Sequence, residues 1–190
     1  FLAVLLALTY WGSRSYKLVI FTFIAFMFIG YFRMWDETMS TIAIILTSVI
    51  ISIAIGIPTG IAMSRSNRTQ SIVIPILDVM QTMPPFVYLI PIVMLMGIGK
   101  IPGLIAVVIY AIPPLIRLTN LGIREVDKDA LEAADAYGTT PWQKLTLVQM
   151  PLALPTIFAG INQTIMMALA MIIIASMIGV KGLGQPVLQS

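Results

Sequence analysis

The sequence has no cysteine and no histidine among its 190 residues. The first absence excludes a disulfide framework, thiolate chemistry and cysteine metal sites. The second removes the commonest general base and metal ligand at neutral pH. Charge is also scarce: 10% of residues are Asp, Glu, Lys or Arg, against about 25% in soluble domains. Apolar side chains make up 59% of the chain, and mean hydropathy is +1.00. A water-soluble fold of this size has no room to hide so much apolar surface, so lipid is the expected solvent. Net charge is only +3, with basic residues scattered, which argues against a nucleic-acid partner.

A bilayer core needs roughly 20 apolar residues per helix. Apolar runs at residues 1–11, 18–32, 41–63, 72–98, 101–116 and 156–178 predict six spans, the first of them clipped. The first run lacks the basic start and small-residue cleavage site of a signal peptide. The chain opens inside it and stops at Ser190 without a charged tail, which reads as a piece of a longer protein, truncated at both ends. The expected fold class is all-α: a polytopic membrane helix bundle, with residues 1–190 as a single transmembrane domain. Lys and Arg in short loops set orientation. With the polar interval after residue 116 placed inside, Arg14, Lys17, Arg65, Arg68, Arg117, Arg124, Lys128 and Lys144 are inside, and only Arg33, Lys100 and Lys181 are outside. The cytoplasmic side is therefore expected to hold residues 117–150.

Within the third span, Ser48, Ser52, Gly56, Gly60 and Ser64 recur every fourth residue and share one helix face. Small residues let membrane helices approach closely, so this face predicts a helix–helix seam, with substrate lining as the alternative. Gly160, Thr164, Ala168 and Ser176 make a similar stripe on the last span. The fourth span carries Pro75, Pro84, Pro85 and Pro91, and each interior proline removes a backbone bond. Irregular backbone at membrane depth is tolerated only against protein or a water-filled cavity. Two readings follow for Gln81, Thr82, Pro84, Pro85 and Phe86: a broken helix beside a translocation path, or a kink that only shapes the bundle. Asp78 is the single ionisable residue that falls within a span. It reads either as an ion-handling group or as the partner of a nearby base or helix end.

The one long polar interval, residues 117–155, obeys helix-capping rules. Asp129 can cap a helix with Glu132 as its capping-box partner, and Gly138 can end that helix. Thr140 can cap a second short helix, with Pro141 at its first position, Gln143 closing a capping box and Pro151 ending it. Tyr137 and Trp142 are of the kind enriched at protein interfaces, although Trp142 also suits lipid headgroups. No phosphate-binding G-x-x-x-x-G-K-[ST] loop is present, and Gly179–Gly184 lacks a strand–glycine–helix context.

Glu132-Ala133-Ala134, then Gly138, then Val148-x-Met150-Pro151 resembles the EAA signature of permease subunits of binding-protein-dependent ABC importers. Val148 and Met150 stand where Ile and Leu are common. The stretches Pro75–Pro84, Phe86–Pro91, Pro113–Gly122, Gly160–Thr164 (with Asn162) and Ala175–Gly179 with Gly182-Leu183-Gly184 are similar to the glycine betaine/proline (osmoprotectant) branch. The likeness covers residue 36 to the end. It implies a type I importer permease fold and a non-catalytic chain without a cofactor, with ATP and Mg held by a partner ATPase. It implies ATPase coupling through Glu132, Ala133, Ala134, Tyr137, Gly138, Pro141 and Trp142. The candidate translocation-path residues are Gln81, Thr82, Pro84, Pro85, Phe86 and Asn162. The implied partners are cytoplasmic ABC ATPases, an extracytoplasmic binding protein or fused domain, and a second permease copy in the bilayer. The implied place is a bacterial-type inner membrane, and the solute is glycine betaine or proline. The alternatives are an ion-gradient-driven secondary transporter, disfavoured by one ambiguous carboxylate and no histidine, and a non-transporting scaffold. Phe86, Tyr88 and Tyr110 are aromatic enough for a quaternary-ammonium cage, but packing or lipid-facing roles suit them better.

Overall fold

The computed structural model describes residues 9–12, 14–177 and 179–180. The start of the first expected span, Lys181 and the Gly182-Leu183-Gly184 segment lie outside the described residues. Among the described residues the elements are α1 (Tyr16–Tyr31), α2 (Trp35–Arg65), α3 (Asn67–Thr82), α4 (Pro85–Met96), α5 (Lys100–Arg124), α6 (Lys128–Ala136), α7 (Pro141–Gln143), a π-turn (Lys144–Gln149) and α8 (Met150–Ser176). Helices α2 and α5 and the rod Pro141–Ser176 are each long and apolar enough to cross a membrane, and α3 with α4 makes a broken fourth span. Helix α1 is apolar but has 16 residues and no buried side chain.

Helix α5 is the centre of the bundle, packed on α2 along one side and α8 along the other. The two methyl groups of Leu115 show how. One lies 3.0 Å from where a Cβ on Gly56 of α2 would stand, and the other 3.3 Å from the same point on Gly160 of α8. Leu115 itself is fully buried. Lipid tails are as apolar as leucine, so such contact is stabilising through dispersion, about 0.1–0.2 kcal/mol per atom pair, rather than through release of water. Ser48, Ser52, Gly56 and Gly60 are all buried in a helix–helix seam, while Ser64 beyond them is half-buried. Gly160, Thr164, Ala168 and Ser176 are buried as well. Ser48 and Thr164 return their hydroxyls to the carbonyls of Ile44 and Gly160, at 2.7 and 2.9 Å, which removes the cost of burying them.

Where the structure departs from the residue pattern, prolines and caps explain it. The fourth span is not a kinked rod but two helices meeting at 92°. Pro84 and Pro85 follow each other, so the helix loses two successive backbone donors and Met83 turns to extended backbone. Helix α5 runs past residue 116 to Arg124, and the second short helix does not end at Pro151. It continues through the π-turn into α8 as one rod of 36 residues. The ring of Pro151 needs space at the carbonyl of Leu147, and the wider π-turn just ahead of it supplies that space. The interval expected as a loop over 117–155 is therefore mostly helix, and the irregular connectors shorten to the residues around α6.

The turn between α1 and α2 closes with Arg33 at φ 56°, Met34 N–H donating to Ile29 O and Arg33 N–H to Gly30 O. This is a Schellman ending with a non-glycine residue in the left-handed position. At the start of α5, Gly103 faces Val180, which is buried, and its methyl groups lie 2.9 Å from where a Cβ on Gly103 would stand.

Candidate coupling corner and polar groove

Helix α6 starts at Asp127, whose carboxylate accepts from the Asp129 N–H at 3.0 Å. The cap is thus Asp127 and not Asp129, because the helix begins two residues earlier than the Asp129–Glu132 box requires. Gly138 ends α6 at φ 72°, with Gly138 N–H on Asp135 O at 2.9 Å and Thr139 N–H on Ala134 O at 3.2 Å. Thr139 Oγ1 also donates to Ala134 O at 2.9 Å. The Thr140–Gln143 capping box forms as the residue types predict: Gln143 N–H donates to Thr140 Oγ1 at 3.3 Å and Thr140 N–H to Gln143 Oε1 at 2.9 Å. Lys144 closes the corner with an ion pair to Asp135.

This corner is fixed to the bundle by Leu145, which is buried in a cluster with Ile123, Ala153 and Ile157. Ala134 is buried on the inner side of α6. Glu132, Ala133, Tyr137, Gly138, Pro141 and Trp142 are exposed, so six of the seven expected coupling residues share the outer surface. Tyr137 is 90% and Trp142 64% exposed, an unusual presentation for large aromatics on a rigid turn.

A second contact ties the corner to the broken span. Arg124, at the end of α5, donates from Nη2 to Met63 O at 2.8 Å and to Asn67 Oδ1 at 3.0 Å. Its Nε donates to Asn120 Oδ1 at 3.1 Å. Met63 O is among the last carbonyls of α2, which have no intrahelical donor, so the guanidinium satisfies that helix end. From the sequence alone, Arg124 is only one of the basic residues that set orientation. Its signal lies in Asn67 and Asn120, which sit at helix positions able to receive a fork, but only the fold brings them together.

Asp78 does pair with a base, and the base is Arg117 of α5. Arg117 also lines an open groove of about 530 Å³ between the last turn of α2, the length of α3, the second half of α5 and the middle of α8. Its polar wall carries Gln70, Gln81, Arg117, Asn120 and Gln163, and its apolar wall includes Ile74 and Leu118. Of the expected path residues, Gln81 is on this wall, and Thr82, Pro84, Pro85, Phe86 and Asn162 are not among its lining residues. Thr82, Pro84 and Phe86 are exposed at the bend, Pro85 is half-buried there, and Asn162 is exposed on α8 beside Gln163. Among the described residues, no three His, Cys, Asp or Glu side chains gather as metal ligands.

Long apolar helices around a central α5, one broken span and a capped helical corner define a polytopic all-α membrane protein with the type I ABC importer permease fold. A chain of the MetNI methionine ABC transporter in an inward-facing conformation superposes with TM-score 0.74, over 82% of this chain and 79% of that one, at 22% identity. Residues 52–190 match the family described as binding-protein-dependent transport system inner membrane component, and the chain belongs to that family. It is 51% identical to the glycine betaine/carnitine transport permease protein GbuB of Listeria monocytogenes, over 97% of this chain and 66% of that protein. It is 50% identical to the glycine betaine/proline betaine permease ProW of Salmonella typhimurium, over 98% of this chain and 52% of that one. Identity to the glycine betaine permease OpuAB of Bacillus subtilis is also 50%, over 98% of this chain and 66% of that one. The chain thus spans between half and two-thirds of the length of these relatives.

Proposed function

We propose that the chain is the membrane-spanning subunit of an ATP-driven importer of a small compatible solute such as glycine betaine or proline. The observation that carries this reading is the corner at α6–α7: two capped helices, an outward face with Tyr137 and Trp142, and a continuous helical connection into a membrane span. A surface built in this way transmits force, because its caps and its Leu145 anchor leave little freedom to absorb it. Cytoplasmic ABC ATPases grip Glu132, Ala133, Tyr137, Gly138, Pro141 and Trp142 there, with Ala134 packing the helix from within. ATP and Mg belong to those partners, and this chain supplies no catalytic group. The Lys and Arg distribution favours the corner on the cytoplasmic side. A second copy of the chain completes the pathway, and an extracytoplasmic binding protein or fused domain delivers the solute. The names of the relatives support the solute class, and family membership disfavours an ion-gradient transporter.

The test is reconstitution of the full-length protein in vesicles with its ATPase partner and binding protein. Glycine betaine uptake is expected only with ATP on the ATPase side. Uptake sustained by an ion gradient in the absence of ATP refutes the reading.

A further inference from the structure

We propose that the groove beside Arg117 is a binding site for zwitterionic solutes, with Arg117 taking the solute carboxylate; this rests on the importer reading above. Arg117 stands on the groove wall with one Nη on Asp78, while its Nε is buried and has no hydrogen-bond partner. Asp78 is not part of the lining, so it neutralises and steadies the guanidinium without occupying the groove. A guanidinium has five N–H donors in a planar fork, and the recorded bond to Asp78 uses one. The amides of Gln70, Gln81 and Gln163 line the same groove and supply further donors and acceptors, while Asn120 Oδ1 is held by Arg124.

Charge balance selects the ligand class. The Arg117–Asp78 pair is neutral overall, and the groove lining contains no other ionisable side chain. A solute with net charge would bring an uncompensated charge, because the lining holds no free counter-ion for it. A zwitterion brings none. Its carboxylate meets Arg117, and an alkylated ammonium end rests against the apolar wall around Ile74 and Leu118. The groove, at about 530 Å³, lies within the usual size range for small-molecule sites of roughly 300–1,000 Å³. A single hydroxyl cannot replace the two carboxylate oxygens, so choline is disfavoured twice, by its net charge and by its lack of a bidentate, anionic partner for the fork.

The sequence has no cysteine, so a single Gln163→Cys reporter can be read directly after any cysteines elsewhere in the full chain are replaced. The full-length permease carrying it is assembled with its ATPase in lipid nanodiscs, and the rate of modification by a methanethiosulfonate reagent is measured. Glycine betaine is expected to slow modification about tenfold, the scale of one charge-assisted fork, and choline at equal concentration to leave it unchanged. An Asp78→Asn/Arg117→Gln double variant removes both charges together and is expected to abolish protection. Should that variant fail to assemble, Arg117→Lys keeps the charge without the fork and is expected to weaken protection several-fold. No protection, equal protection by choline, or full protection in whichever variant assembles overturns the proposal. ATP-driven uptake by the unmodified protein is measured in parallel. Uptake without protection rejects the site alone, and absence of ATP-driven uptake rejects the importer reading.

Discussion

The hydroxyl of Tyr88 donates to the carbonyl of Met80 across the bend between α3 and α4. In a continuous helix that carbonyl would accept from residue 84, but Pro84 has no N–H to give. Tyr88 therefore replaces the backbone donor that the bend removes, at a depth where water is scarce. Its ring meets Tyr110 of α5 edge-on at 6.4 Å, which holds the hydroxyl in place. Tyr88→Phe keeps the ring and orphans the carbonyl. The expected loss is about 1–3 kcal/mol, read as a lower melting temperature of the purified protein. Tyr110→Phe, whose hydroxyl has no part in this contact, is the control and is expected to change little.

Two glycines separate packing from backbone conformation. A Cβ on Gly60 would stand 2.5 Å from Thr119 Cβ and 2.9 Å from Ile116 O, so Gly60→Ala must push α2 away from α5. A cost of about 1–3 kcal/mol in global stability is expected. A Cβ on Gly138 would meet nothing within 4 Å, but φ is 72°. Gly138→Val is therefore strained only locally, by roughly 1–2 kcal/mol. It is expected to leave insertion and melting temperature nearly unchanged while weakening ATPase copurification or coupled uptake. Unchanged copurification and uptake would falsify the docking role of the corner.

Arg124 offers a test of how the corner communicates with the broken span. Arg124→Gln loses the donor to Met63 O and is expected to cost about 1 kcal/mol of stability. Arg124→Lys keeps the charge near the end of α2 but cannot reach Asn120, Asn67 and Met63 O together. If the contact matters as a link, both variants lower uptake per ATP hydrolysed while the ATPase still copurifies. Equal coupling ratios in wild type and variants contradict a linking role.

Thr140→Ala removes the oxygen that receives the Gln143 N–H and is expected to fray the first turn of α7 at a cost of about 1 kcal/mol. Hydrogen exchange at the Gln143 amide is the direct measure. Thr140→Ser, which retains the oxygen, is expected to restore protection.

Pro151→Ala relieves the need for a wide turn ahead of the proline. The segment Lys144–Gln149 is then expected to relax to regular α-helix, which turns the exposed face of α7 relative to α8. Spin-label distances between α7 and α8 report that rotation, and unchanged distances would show that the π-turn has another cause.

Much of this protein is written locally. The small-residue stripes and the Thr140–Gln143 box each depend on residues a few positions apart, and the box forms as its spacing predicts. The EAA-type spacing, also local, was enough to mark the family. The helix ends went astray by a few residues where a competing local partner won, as Asp127 did over Asp129, or where a wide turn let a helix run through Pro151. The opposite limit is reached by pairs distant in sequence. Nothing near Asp78 shows that its partner is Arg117, and nothing near Arg124 points to Met63 O. The sequence alone determined the apolar, helical character of the chain and the Thr140–Gln143 cap, because hydropathy, periodicity and capping are properties of short segments. Only the tertiary structure decided that two prolines make a 92° bend and that α5 lies at the centre. It alone placed Arg117 on a groove wall, because helix approach and side-chain pairing are set by the packing of several segments at once.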